Sequence, residues 1–294
     1  MEPKYIIGLI TQMKIGIIGS GFVGKATQQL NHSAITMVVY DIRPELCVPP
    51  GLPLSALSEC DLIFVCVPTP MESSGKCHLG IVESVMRDLS PVIDPSKNFV
   101  VLRSTVPPGT CDRLGCYFMP EFLTEKNYIQ DFIQCSHWIM SLRGAPSDKT
   151  FMHTVQQLFT SAKAAGQIQS DQITFLKNSE AEMVKYFRNT FLSVKVSFCN
   201  EMEEFCRIKG IHYDAVRSAA VLDSRIGESH STVPGHDGKR GFGGTCFPKD
   251  TNALLYEMGR IGMESYVLRG AIERNREVDR VEEDWKEDKG RAVV

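Results

Sequence analysis

Between Lys14 and Gly24 the chain reads KIGIIGSGFVG, a short apolar run that enters Gly19-Ser20-Gly21-Phe22-Val23-Gly24. The apolar run asks for a buried strand. Glycines at this spacing ask for a tight turn into a helix, with a backbone that something else approaches closely. A lone G-x-G-x-x-G is common in turns, so its surroundings decide its meaning. A second apolar run, Met37 to Tyr40, ends at Asp41, twenty residues beyond Gly21. At that spacing an acidic side chain meets the ribose hydroxyls of NAD in a dinucleotide-binding fold. Arg43, two residues on, leaves a small opening for NADP, which Asp41 opposes.

The alternation continues downstream. DLIFVCV (61 to 67) suits a buried parallel strand, and Pro68-Thr69-Pro70 follows it. A helical pattern near 79 to 90 precedes a strand from Asn98 to Arg103 that ends in Ser104-Thr105. HWIMSL (137 to 142) repeats the strand signal, and Ser147 stands where it would cap a helix running to about Ala162. Strands alternating with helices predict an α/β fold, a Rossmann-type doubly wound parallel sheet. Ligands in such sheets lie at the carboxyl ends of the strands, where Gly19, Thr69 and Thr105 fall.

Near residue 178 the pattern changes. Ser179-Glu180-Ala181-Glu182 has the form of a capping box, and a helical stretch runs from it to Gly210. About thirty residues at ~1.5 Å each give a helix near 45 Å long. Its aromatic residues fall on several faces and need more than one partner. The expectation is a NAD-binding domain over 1–176 and an all-helical central domain over 177–294, with the long helix as a dimer element. ESHSTVPGHDGKR (228 to 240) reads as a substrate loop, and the charged tail after Asp279 reads as a solvated helix end.

Composition excludes some classes. With 32 basic and 35 acidic residues, a net charge of -3 gives no reason to expect a nucleic-acid or anionic-membrane partner. The most apolar stretch, Tyr5 to Ile18, is interrupted by Thr11, Gln12 and Lys14, so it reads as a lead-in plus a strand rather than a span. The first twelve residues, before Met13-Lys14, read as an extension or cloning remnant. Ten cysteines without a C-x-x-C pair argue against a zinc or dithiol site, and no metal is expected. Reduced thiols in a cytoplasmic protein are the simpler reading.

One cysteine stands apart. GFGGTCFPKD (241 to 250) sets Cys246 after a glycine turn, with Lys249 three residues on and Asp250 four on. Positive charge from Lys249, or from the dipole of a helix begun by Pro248, would stabilise a thiolate. A glycine loop with a buried cysteine and a surface ion pair accounts for the decapeptide about equally well. Lys185 and Asn189 are four apart on the long helix and share a face, a pairing suited to an oxyanion or, more ordinarily, to solvent. Glu121 and Glu125, in PEFLTE, form either part of a site or an exposed acidic helix start.

Together these stretches resemble the nucleotide-sugar 6-dehydrogenases, most closely the UDP-glucose 6-dehydrogenase branch, from about Lys14 to Asp279. The resemblance rests on GSGFVG, VPTP (67 to 70), STVPPGT (104 to 110), PEFLTE (120 to 125), AEMVKYFRNTFLSVKVSFCNE (181 to 201), DSRIG (223 to 227) and GFGGTCFPKD. It implies an NAD-dependent, four-electron oxidation of a sugar C6 alcohol to a carboxylate. Cys246 would attack the C6 aldehyde and carry a thioester. Lys185 and Asn189 would steady the oxyanion, with Lys185 also assisting as a base. Asp250 would orient or deprotonate water and lysine, and Glu121 and Thr105 would hold the hydrolytic water. Gly19, Gly21, Phe22, Val23, Gly24, Asp41, Arg43, Val67, Thr69, Ser104, Thr105, Glu125 and Lys249 would surround the cofactor. Glu121, Phe122, Leu123, Lys185, Asn189, Gly241, Phe242 and Gly243 would contact the sugar nucleotide. Arg225 would reach the sugar of the neighbouring subunit of a homodimer.

The chain also departs from that family. Only nineteen residues separate Asp41 from Asp61, where the family carries an insertion, and Leu46 replaces an expected basic residue. The family continues into a further nucleotide-binding-like domain, so a chain ending at Val294 implies a compact form without it. CFPKD and RIG favour UDP-glucose over GDP-mannose as the small-molecule partner. The alternatives are a GDP-mannose or UDP-amino-sugar enzyme and an NAD-binding remnant without turnover. A two-electron hydroxyacid dehydrogenase shares the plan but gives Cys246 no role.

Overall fold

The computed structural model describes residues 12–294, so the reading of Tyr5 to Thr11 as a lead-in lies outside the described residues. The chain divides into two compact units. The first comprises residues up to Val67, Val82–Ser104 and Pro108–Ala181; the second comprises Pro68–Ile81, Thr105–Pro107 and Glu182–Val294.

In the first unit, β1 (Met13–Ile18), β2 (Ile35–Tyr40), β3 (Leu62–Val65), β4 (Phe99–Leu102) and β5 (Tyr117–Phe118) form one parallel sheet in the order β2-β1-β3-β4-β5. All four side chains of β3 are fully buried, the signature of a strand covered on both faces. Each such side chain contributes about 1.5–3 kcal/mol of burial. The order reverses between β1 and β3, which makes the crevice beyond their carboxyl ends the ligand position of this architecture. A second parallel pair, β6 (Trp138–Leu142) and β7 (Ile173–Lys177), completes the strands of this unit. The helices are α1 (Phe22–Thr27), α2 (Gly80–Leu89), α3 (Thr110–Leu114), α4 (Tyr128–Ile133) and α5 (Asp148–Ala164). Ser147 does precede α5, but its hydroxyl lies 3.1 Å from the Tyr117 hydroxyl and makes no cap. The Asp148 carboxylate instead accepts the Gly144 and Ala145 amides, at 2.8 and 3.2 Å.

The second unit is helical. Helix α6 (Asn178–Lys209) has 32 residues, about 48 Å at ~1.5 Å each. It begins one residue before the expected box. The Glu180 carboxylate accepts the Lys177 amide at 2.8 Å, while Glu182 is buried. The capping function therefore falls on Glu180, and the Ser179–Glu182 box is corrected accordingly. Helices α7 (Tyr213–Ala220), α8 (Phe247–Arg260) and α9 (Tyr266–Arg274) follow, and α9 runs into one turn of π-helix over Asn275–Asp279. Tyr186 on α6 packs with Cys77, Ala253, Leu254 and Leu268 in the core of this unit.

The tail after Asp279 is not a solvated helix end. Arg280, Trp285 and Ala292 are buried, and Met71 pairs with the segment around Val293. The Met71 amide donates to the Ala292 carbonyl at 2.8 Å, and the Met71 carbonyl accepts the Val294 amide at 3.0 Å. Arg280 is held by Asp237 at 2.7 Å and Asp284 at 2.8 Å, so its charge goes inward with its partners.

Candidate active site

The three glycines of the first turn do three different things. Gly19 adopts φ +95°, and a Cβ there would lie 2.5 Å from the Cys66 carbonyl oxygen. A Cβ on Gly24 would lie 1.9 Å from the Gly19 carbonyl oxygen, so Gly24 lets α1 pack onto the turn. Gly21 meets nothing within 4 Å. Its missing side chain serves no neighbour in the protein and leaves the backbone at the start of α1 open to a diphosphate. Phe22 and Val23 open α1.

Asp41 follows β2 directly. Its Oδ2 accepts the Ser20 amide at 2.8 Å and its Oδ1 accepts the Arg43 amide at 3.0 Å. Arg43 Nε lies 3.6 Å from the same carboxylate, with its side chain largely exposed. Val67 follows β3, and its carbonyl accepts the Ser104 hydroxyl at 2.6 Å. Glu121 is buried and accepts the Leu123 amide at 2.9 Å, while Phe122 is half-buried and Glu125 exposed. This set fits a dinucleotide: an open glycine turn, a carboxylate on its rim, and strand ends beside both.

The second unit gathers the other group. Cys246 is half-buried at the N-cap of α8, with Pro248 in the first turn, as the decapeptide suggested. Asp250, one turn into α8, is buried; its Oδ2 accepts Nδ2 of Asn189 at 2.6 Å and its Oδ1 accepts Nζ of Lys249 at 2.5 Å. Burial opposes the charge of Lys249. The Asp250 carboxylate and the Cys246 thiolate outweigh it and hold the ammonium pKa above its ordinary value. Lys185 and Asn189 are both buried, so the solvent-facing reading of that pair fails. Thr69 and Thr105 are also buried in this unit. Gly241, Phe242 and Gly243 form the approach to Cys246, with Phe242 buried. Arg225 is 89% exposed and pairs with Asp223 at 2.5 Å.

Sequence reasoning missed Cys77 and Tyr186. The Cys77 thiol donates to the Thr105 carbonyl at 3.6 Å, and burial pushes it up to about 11, so it stays protonated at neutral pH. Burial first, then the charges of Cys77 and Asp250, also raises Tyr186. Tyr186 had a signal, since it adjoins Lys185; Cys77 had none.

The fold and the two residue sets define a Rossmann-type dinucleotide-binding protein joined to a helical unit that presents a thiol beside lysine, amide and carboxylate groups. Comparison with known proteins makes this specific. Residues 54–163 match the NAD binding domain and residues 179–277 the central domain of the UDP-glucose/GDP-mannose dehydrogenase family, together more than half of the chain. The chain belongs to that family, and its first unit is the NAD-binding one. It is 32% identical over 232 residues to a putative UDP-glucose 6-dehydrogenase, YtcA, of Bacillus subtilis, covering 73% of this chain and 50% of the relative. It is 28% identical to the UDP-glucose 6-dehydrogenase AglM of Haloferax volcanii, over 90% of this chain and 69% of the relative. A UDP-glucose dehydrogenase from Pyrobaculum islandicum superposes with a TM-score of 0.75 at 25% identity, over 92% of this chain and 70% of that one. The chain spans about half the length of most of the curated relatives it matches. A Mycobacterium tuberculosis 3-hydroxyisobutyrate dehydrogenase, 14% identical with a TM-score of 0.66, shares the fold.

Proposed function

We propose that this chain carries out the NAD-dependent four-electron oxidation of a nucleotide sugar, UDP-glucose in the first instance, to the uronate. The observation that carries the reading is the buried Asn189–Asp250–Lys249 set one turn beyond a half-exposed Cys246. A plain two-electron dehydrogenase has no use for that thiol. Gly19, Gly21, Gly24, Asp41, Val67, Ser104 and Glu125 would hold NAD, which when bound accepts a hydride at each of two oxidations.

The chain's own residues handle the carbon and the protons. The Cys246 thiolate forms a bond to C6 of the aldehyde, and negative charge moves to the aldehyde oxygen. Lys185 and Asn189 donate to that oxygen; donors fixed in place before charge develops stabilise it most. Once the adduct is oxidised to a thioester, water adds to its carbonyl, giving a proton to Asp250. The S–C bond then breaks, and the thiolate leaves with the electron pair. Glu121 and Thr105 would hold that water.

A homodimer belongs to the same reading. Phe187, Phe191, Phe198, Phe205 and Ile208 of α6 are each more than half exposed, at helical spacings of four, seven, seven and three. The rings of Phe187 and Phe191 lie parallel within 1°, 6.4 Å apart. A second copy of the chain would cover that stripe and bring in its Arg225. The test is NADH stoichiometry with limiting UDP-glucose, GDP-mannose and UDP-amino sugars. Two NADH per UDP-glucose, with no free aldehyde, is the expected result, and one NADH per sugar refutes the thioester route.

A further inference from the structure

The π-turn at the end of α9 touches the glycine loop at two points. Asn275 is buried and binds Phe242 with both ends of its amide. Its Oδ1 accepts the Phe242 amide at 2.8 Å, and its Nδ2 donates to the Phe242 carbonyl at 2.9 Å. Arg280, whose amide closes the π-turn onto the Asn275 carbonyl at 2.7 Å, lies over Gly243. A Cβ on Gly243 would come 2.4 Å from Arg280 Cζ, and one on Gly241 would come 2.2 Å from Asn275 Oδ1. Both glycines leave room for these two side chains, and Gly241 also adopts φ +68°. An extra residue in a helical turn is an unfavourable arrangement that persists where it aims a side chain.

Helix α6 holds the same loop from the other side. Asn200 Oδ1 accepts the Gly241 amide at 3.2 Å, and the Asn200 carbonyl accepts Nη2 of Arg240 at 3.0 Å. The Arg274 guanidinium, just before the π-turn, bonds to Glu204 of α6 at 2.8 Å. Beyond Cys246, the bond between Asp250 and Asn189 ties the first turn of α8 to α6 again. Cys246 therefore sits between two anchors referred to one helix. Phe242 is four residues before it and Asp250 four after, and Asn189 and Asn200 are eleven residues apart on α6, about 16 Å along its axis.

We propose that Asn275 is a positioning residue, whose two-pronged bond to Phe242 fixes the loop that aims Cys246 at the face of α6 bearing Lys185 and Asn189. The proposal rests on the assignment of Cys246 as nucleophile. It adds a residue that does not touch the reacting atoms and sits 29 positions downstream of Cys246. Without Asn275 the Phe242 amide and carbonyl lose their buried partners, and the three residues between Phe242 and Cys246 lose their upstream anchor.

The test compares N275A with wild type by the rate at which iodoacetamide labels Cys246, followed by peptide mass mapping without substrate. Cys135 serves as the internal control, because it is the other half-exposed thiol and lies in the first unit. For N275A, Cys246 labelling should change at least ~5-fold and Cys135 labelling less than ~2-fold, with NAD affinity within ~2-fold and kcat reduced at least ~30-fold. A folded N275A with Cys246 labelling within ~2-fold and kcat within ~3-fold of wild type overturns the proposal. If N275A does not fold, N275D decides by the same readings, since it keeps the volume and the acceptor and loses the donor. A wild type that oxidises no nucleotide sugar would refute the proposed function, while labelling alone would still decide the role of Asn275.

Discussion

Replacing Asp250 by Ala would strand two buried groups at once. The Lys249 ammonium, its side chain 13% exposed, loses a partner at 2.5 Å, and Asn189 Nδ2 loses one at 2.6 Å. At an effective dielectric near 20, a charge pair ~4 Å apart is worth about 4 kcal/mol. Removing one member of a buried pair costs about 3–5 kcal/mol, because the other is left uncompensated. We therefore expect Asp250→Ala to destabilise the second unit by about 4 kcal/mol, and Lys249→Met with Asp250→Ala to cost less than the two single losses summed. A coupling of about 2 kcal/mol is the expected size. The chain has two tryptophans, Trp138 in the first unit and Trp285 in the second, both buried. In a Trp138→Phe background, urea unfolding followed by Trp285 emission reads the second unit. The Lys249 pKa is raised above 10.5, so its contribution is complete below that value and fades only as pH rises through the raised one. The coupling should therefore stay flat from about pH 6 to about pH 9. A coupling under about 0.5 kcal/mol, or one that vanishes within that window, would refute the buried pair as the element that orders the start of α8.

Three further outcomes are expected. Gly21→Ala, at a position with nothing within 4 Å, should leave thermal unfolding unchanged and weaken NAD binding, whereas Gly24→Ala, 1.9 Å from the Gly19 oxygen, should cost about 3 kcal/mol; unaltered NAD affinity in Gly21→Ala contradicts the glycine assignment. The Arg280 guanidinium first, then Lys239, holds the Asp284 carboxyl down to about 2 against its partial burial, so its contribution is present above 3.8 and lost as pH falls towards 2. Asp284→Asn should cost about 1–2 kcal/mol at neutral pH and progressively less as pH falls through about 2, a gap that acid unfolding of the two proteins measures. Arg225→Ala should weaken sugar binding while sparing NAD, and mixing it with Cys246→Ser should restore part of the activity; a dead mixture with proven subunit exchange excludes a shared site.

The strands were legible where burial on both faces makes a continuous apolar run, as in β3. They were not legible in β5, with two residues, or in β7, whose side chains are half-buried or exposed and whose sequence ITFLK carries little contrast. The start of α8 at Cys246 and the pairing of Lys185 with Asn189 along α6 were legible, because a glycine turn and helical spacing of four are local signals. Asn275 gave no such signal, because its partner Phe242 is 33 residues away and the pairing depends on a π-turn. Charge misled at the tail. Arg280 looked solvated because sequence does not reveal that Asp237, 43 residues earlier, meets it.

The pairing of Met71 with Ala292 and Val294 also sets a schedule for synthesis. The Pro68–Ile81 segment belongs to a unit whose remaining parts are made later, and its partner strand is separated from it by roughly 220 residues. At roughly 5–20 residues per second, Met71 leaves the ribosome about 10 to 45 seconds before that partner does. The Cys77 thiol waits a shorter time for the Tyr186, Ala253, Leu254 and Leu268 side chains that bury it. The first unit lacks only Pro68–Ile81 and Thr105–Pro107 within its span and is free to collapse earlier.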